Sequence, residues 1–242
     1  MGKVIMSGRV PKLVVPEVPV KGILASELAV GSSVFLNENG SPVEYLAVNQ
    51  GIPSDSSLYD SSCDGLWLLR KDVYTNRAWD STDNDYPNSD IHTYLNDTFM
   101  GLFDTDTQNA IQLVKLPCAK GSASTPTVYS GDNGLSTKVF LLAQLEVWGN
   151  SANSTYDAVD GACLDYFKGD SGTDRIAYMD GTATGWTLRT PLAQSTANVR
   201  LITTSGYLQS AGVAVAWGIR PALILPSNVL FDEETLIFKG VS

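Results

Sequence analysis

At 242 residues the chain is long enough for one large domain or two small ones. Its content of 43% hydrophobic and 17% charged residues marks a globular protein with fewer charges than usual. A net charge of -10 at pH 7 excludes nucleic acid and anionic membrane as expected partners, because phosphate surfaces are met by clustered cations.

Residues 1–22 read as an extended arm. Pro11, Pro16 and Pro19 are interspersed with Val10, Leu13, Val14, Val15, Val18 and Val20, and proline removes ladder donors and disfavours helix. Two readings stand side by side: a frayed end or edge strand on its own domain, or an arm that docks on a neighbouring subunit or larger assembly. The first residues lack the apolar stretch of a signal peptide. Met6 stands where a myristoylation motif opening at Met1-Gly2 needs Ser or Thr. No run is apolar for long enough to cross a bilayer, so no membrane insertion is expected.

The domain proper is expected over residues 23–242, with 23–50 as its first β unit. There, two apolar-rich runs over 32–36 and 43–48 flank Asn39-Gly40, a strong hairpin signal. Residues 67–70 predict a buried strand. Ser89 or Asp90 can cap a helix over 91–100, where Ile91, Tyr94, Leu95 and Phe99 recur at helical spacing. Asp104 or Thr105 can cap a second, shorter helix over 106–113, ended by Pro117. A buried strand follows at 139–142, a helical turn at 162–167, and a last apolar strand at 219–225 whose Pro221 implies an edge or a bulge. Residues 121–134 and 150–160 read as loops. The predicted class is α+β, loop-rich, with short strands and two or three helices.

Catalytic chemistry is sparse. Cys63, Cys118 and Cys163 are far apart and form no CxxC pair, so a zinc site is not expected, and buried free thiols are favoured over a disulfide. His92 is the only histidine, and no Gly-x-Ser-x-Gly elbow accompanies it. Asp80, Asp83, Asn84, Asp85 and Asp90 space oxygen ligands as a calcium loop would, without the glycine and closing glutamate of an EF-hand. The same residue types form ordinary turns. Asp157, Asp160, Asp165, Asp170 and Asp174 carry the same ambiguity. Arg70, Arg189 and Arg220 are expected to be structural, buried and paired with carboxylates.

The most informative stretch is 185–228. Two stereotyped frames, Trp186-Thr-Leu-Arg-Thr-Pro191 and Gly218-Ile-Arg-Pro-Ala-Leu-Ile-Leu-Pro226, bracket a segment whose only charge is Arg200. The insert is mostly Ala, Ser, Thr, Val, Leu, Gly and Asn. A fixed frame around a permissive insert suits a binding surface better than an active site.

Those frames, together with Trp67-Leu-Leu-Arg-Lys71, Trp79 and the run from Ser89 to Phe99, resemble an uncharacterised domain family of phages, prophages and Gram-positive gut bacteria. That family is similar to C-type-lectin-like proteins, among them formylglycine-generating enzymes and the variable proteins of diversity-generating retroelements of the major tropism determinant type. The resemblance implies a C-type-lectin-like domain closed by the Gly-Ile-Arg-Pro motif, with the preceding segment facing the ligand. Retroelement diversification at adenines cannot yield glutamine or tryptophan, so Gln194, Gln209 and Trp217 would belong to the frame or have evolved independently. By the same resemblance the protein is expected to be a virion-associated receptor-binding protein, made in the bacterial cytoplasm, not an enzyme, and a homo-oligomer. The arm would hold it to other virion proteins. Host glycan or protein would meet Leu192, Gln194, Ser195, Asn198, Arg200, Tyr207, Leu208, Gln209, Val213 and Trp217. No cofactor is expected, a calcium ion at the aspartate-rich loop being the one candidate. The alternatives are a capsid or tail decoration protein, whose support is the small-residue run 211–216, and a formylglycine-generating-type enzyme, which would need cysteine-bound copper or histidine-bound iron.

Overall fold

A strong local turn starts the first sheet. In the computed structural model Asn39 (φ 49°) and Gly40 (φ 77°) join strands Ser33–Glu38 and Ser41–Gln50 in antiparallel register, as two consecutive left-handed residues should. The structure describes residues 21–53, 57–121, 127–149, 158–169 and 172–241. Of the expected arm, residues 1–20 lie outside these.

Five antiparallel strands make the first sheet, in the order Val139–Phe140, Ala222–Leu225, Leu66–Arg70, Ser41–Gln50, Ser33–Glu38. Its central strands are buried on both faces, and their two-residue period sorts side chains between two cores. Leu66, Leu68, Leu223 and Leu225 enter one core with Ile91, Leu95, Phe99 and Phe231. Trp67, Leu69, Ala222 and Ile224 enter the other with Phe140, Val147, Trp186 and Ile202.

A second five-stranded sheet runs Leu208–Gly212, Asn198–Ile202, Trp186–Pro191, Trp217–Ile219, Thr75–Arg77. All its pairs are antiparallel except Trp186–Pro191 with Trp217–Ile219. The expected single strand over 219–225 is therefore two strands, Trp217–Ile219 and Ala222–Leu225, in two different sheets. Arg220-Pro221 carries the chain across. Arg70 N donates to Pro221 O (2.9 Å) and Arg220 Nε donates back to Arg70 O (2.8 Å). A small third sheet, Ile23–Leu24, Val229–Phe231 and Phe238–Val241, joins the two ends of the described chain.

Helices are few and short, so the class is mixed α+β and strand-rich. Ser89 caps the first: its Oγ accepts from His92 N at 3.2 Å. α-Helix Asp90–Tyr94 widens into a π turn, Leu95–Phe99, and tightens into a 3-10 turn, Met100–Leu102. Asp104 caps the second through Thr107 N (2.8 Å), but that helix, Thr105–Ala110, stops three residues short of the expected end. Ile111 turns extended (ψ 120°), and Gln112 N then bonds Ile224 O. The turn expected at 162–167 is a 3-10 turn at Asp165–Phe167. Gln144–Trp148 is a helix the sequence reading missed. Glu146 Oε2 accepts from Ala143 N to start it, and Gly149 (φ 70°) ends it. The expected loop 121–134 holds the short strand Val128–Tyr129, paired with Cys118–Ala119.

Glu146 also meets Arg189 in a fully buried, bidentate ion pair, Nη1 to Oε2 and Nη2 to Oε1, both at 2.6 Å. The remaining guanidinium protons go to Pro117 O, Leu141 O and Asp160 O. One side chain thus ties three separate chain segments to strand Trp186–Pro191. Arg70 pairs with Glu38 at 2.9 Å. Arg220 departs from the expected carboxylate pairing: burial pushes its guanidinium down to about 10, and it stacks over Trp186, 5.1 Å from the ring centroid.

Candidate functional site

Segment 192–217 leaves the end of strand Trp186–Pro191, makes a tight turn, and returns as the hairpin Asn198–Ile202/Leu208–Gly212. A second turn at 213–216 leads into Trp217–Ile219. Strand Leu208–Gly212 is an outer edge of its sheet.

Backbone contacts hold both ends of this hairpin. At one end the buried Asn84 carboxamide Nδ2 contacts Leu192 O (3.4 Å), Ser195 O (2.7 Å) and Asn198 O (2.7 Å). Ser195 Oγ accepts from Ala197 N and Asn198 Nδ2, which tightens the turn. Gln194 there adopts φ 64°. Val213 N donates to Ala197 O, and Val213 O accepts from Trp79 N and Asp80 N. At the other end Thr203 N donates to Tyr207 O, Gly206 N to Thr203 O, and Arg175 Nε to Gly206 O (3.0 Å). Gly206 has φ 79°, and a side chain there would collide with Gly172 O, so this turn needs glycine.

The ten expected contact residues do not form one patch. Asn198, Arg200 and Ile202 pair with Gly212, Ser210 and Leu208 across the hairpin, so Asn198, Arg200 and Leu208 share a face. Leu192, Gln194 and Ser195 adjoin Asn198 on the turn. Gln209 pairs with Leu201 and projects to the opposite face. Trp217 belongs to that opposite face, across strand Trp186–Pro191 and near Gly185 and Arg77. Tyr207, 66% exposed, sits on the far turn. Val213 is corrected outright: at 2% exposure it belongs to the core, and its backbone, not its side chain, does the holding. Its neighbour Val215 is the exposed one, at 51%. Asn84 was read from the sequence only as a candidate cation ligand, and its hold on the hairpin is what that reading missed. It lies in the aspartate-rich stretch, and nothing local marks partners more than a hundred positions away.

That stretch is a set of turns. Asp80 Oδ1 accepts from Thr82 N, Thr82 Oγ1 and Asp83 N, and its Oδ2 from Asp90 N. Asp83 accepts from Asp85 N. Both Asp80 oxygens and one of Asp83 are thus spent on the loop's own donors. In the second acidic scatter, Asp165 pairs with Lys168 and Asp160 is buried against Thr190, while Asp157 and Asp170 lie outside the described residues. Among the described residues no three His, Cys, Asp or Glu side chains converge as metal ligands would.

Burial pushes the Cys63 and Cys118 thiols up to about 12, which disfavours the thiolate in these enclosed positions. His92 Nε2 lies 3.2 Å from Thr137 Oγ1, its ring packs edge-on to Tyr86, and burial lowers its pKa. It is a satisfied, largely enclosed histidine.

A family model described as a domain of unknown function (DUF6273) matches residues 64–227. The match spans both frames and the whole of segment 192–217, and begins after the 33–50 hairpin. No curated protein matches the chain, and no solved structure matches it.

Proposed function

The chain belongs to the DUF6273 family, and we propose that it is a virion-associated binding protein of a phage or prophage, with a C-type-lectin-like domain that offers the 192–217 hairpin to a host-surface glycan or protein. The observation that carries this reading is the way the hairpin is held. Asn84 takes three backbone carbonyls, and Arg175 takes a fourth at Gly206. Exposed side chains such as Gln194, Tyr207 and Gln209 are not what fixes the backbone, so their identity is free to follow a ligand. Residues 1–22 would dock the protein on other virion components, copies on one particle would add avidity, and the role is binding without catalysis.

The test is to replace the exposed residues of 192–217 by those of another family member, keeping Asn84, Val213 and both frames. The expected outcome is an unchanged melting transition with loss of binding to host cells. Retained binding would overturn the reading. A second reading, a decoration protein, draws on the open edge at Leu208–Gly212 and the exposed Val215, which suit packing against a neighbouring subunit. It predicts that the same exchange alters the oligomer or particle stability and leaves cell binding unchanged.

A further inference from the structure

Beside the hairpin's anchor lies a cavity of about 330 Å³ that the binding surface does not use. Its walls come from the 3-10 turn after Asn84, from Cys118 and Lys120, and from the returning segment 129–136. From these walls we infer a second binding site, one for a single neutral sugar ring. The size falls at the small end of ligand pockets.

Its lining is apolar over the larger part, with polar side chains set into it that are of the kinds that bind hydroxyls. Asp85 Oδ1 is buried without a hydrogen-bond partner among the described residues, while Oδ2 accepts from Asn88 Nδ2 at 2.8 Å. A buried acceptor without a donor is costly, and because Asp85 lines the cavity, a small turn of its carboxyl would offer that oxygen to a ligand hydroxyl. Asn133 and Ser136 add a carboxamide and a hydroxyl on the opposite wall. Tyr129 lines the cavity and is 41% exposed, an aromatic surface on which the C–H face of a pyranose can lie.

Charge decides between ligand classes. Among the described residues, Asp85 and Lys120 are the charged ones in the lining, of opposite sign, so a net anion or cation gains little over a neutral polyol. Cys118, its thiol, is buried with a raised pKa and directs Sγ toward Ala119 O. The site is independent of the hairpin reading, since none of its lining residues belongs to 192–217.

The probes are the methyl glycosides of glucose, galactose, mannose and N-acetylglucosamine, which stand for the terminus of a glycan, and the same four free reducing sugars, which stand for a soluble metabolite. Each is titrated into the intact protein by saturation-transfer NMR and calorimetry. Saturable binding of at least one sugar is expected, weakened at least about tenfold by Tyr129→Ala and by Asp85→Asn and unchanged by Tyr207→Ala. Preference for the glycoside assigns a glycan end, and preference for the free sugar assigns a metabolite. Absence of saturable binding, binding indifferent to both cavity variants, or binding of serine in place of sugars through the Asp85–Lys120 pair would each overturn the inference. Melting curves of the two variants confirm that a lost signal is not lost folding.

Discussion

Glu146 and Arg189 meet oxygen to nitrogen at 2.6 Å on both sides of the fork, with neither side chain exposed to solvent. Tyr59 Oη donates to the same carboxylate, and Ala162 N donates to Tyr59 Oη, so the pair is the centre of a wider buried network.

Removing one partner strands the other without water. Glu146→Gln and Arg189→Leu should each lower unfolding free energy by about 3–5 kcal/mol, read by urea denaturation. The double variant should cost clearly less than the sum, because neither charge is then left alone. Strict additivity would mean that the pair is not a unit.

Asp160 gives the fold a pH dependence of unusual sign. Its carboxyl is fully buried, and burial raises its pKa from 3.8 to about 7, against the pull of Arg189 and Thr190. A carboxyl with a raised folded-state pKa stabilises fully below its unfolded pKa, and that stabilisation is lost as pH rises through about 7. The melting temperature should therefore rise as pH falls from about 8 to 6, and Asp160→Asn should flatten that slope. A wild-type profile already flat over this interval would show that the group stays ionised.

Asn84→Ala should loosen the 192–198 turn at a cost of about 1–3 kcal/mol, since three part-buried carbonyls lose a donor. Hydrogen exchange at Ala197 and Val213 should speed up while the 33–50 hairpin stays protected. Asn84→Asp should be worse, because it sets a carboxylate against those carbonyl oxygens.

Val213 and Tyr207 should behave as opposites. Val213→Ala should destabilise by about 1–3 kcal/mol through lost packing, and Tyr207→Ala should stay within about 0.5 kcal/mol. Equal effects would contradict the assignment of one to the core and the other to the surface.

Local chemistry was readable in the sequence wherever one residue type decides the backbone. Asn39-Gly40 set the hairpin, Ser89 and Asp104 set the helix starts, and the strand with Trp67 was visible as an apolar run ending at an arginine. The sheet change at Arg220-Pro221 was hidden because the apolar run continues across it, and hydropathy does not record a turn between two buried strands. Gln144–Trp148 is too short to show helical periodicity, although Glu146 and Gly149 were signals for its ends. Segment 192–217 stood out by its frames, but how its side chains divide over two faces depends on cross-strand register. Asn84 shows the limit best, since its role exists only through carbonyls that any sequence at 192, 195 and 198 would supply.

The grip of Asn84 has a consequence for how the hairpin can evolve. Carbonyls are common to all residues, so substitution at 192–198 leaves the grip in place. Their spacing is not. One residue inserted or deleted between Leu192 and Asn198 would move at least one of three oxygens out of reach and shift the strand that follows, turning its outward side chains inward. Descendants of this chain should therefore differ freely in spelling across the turn and keep its length.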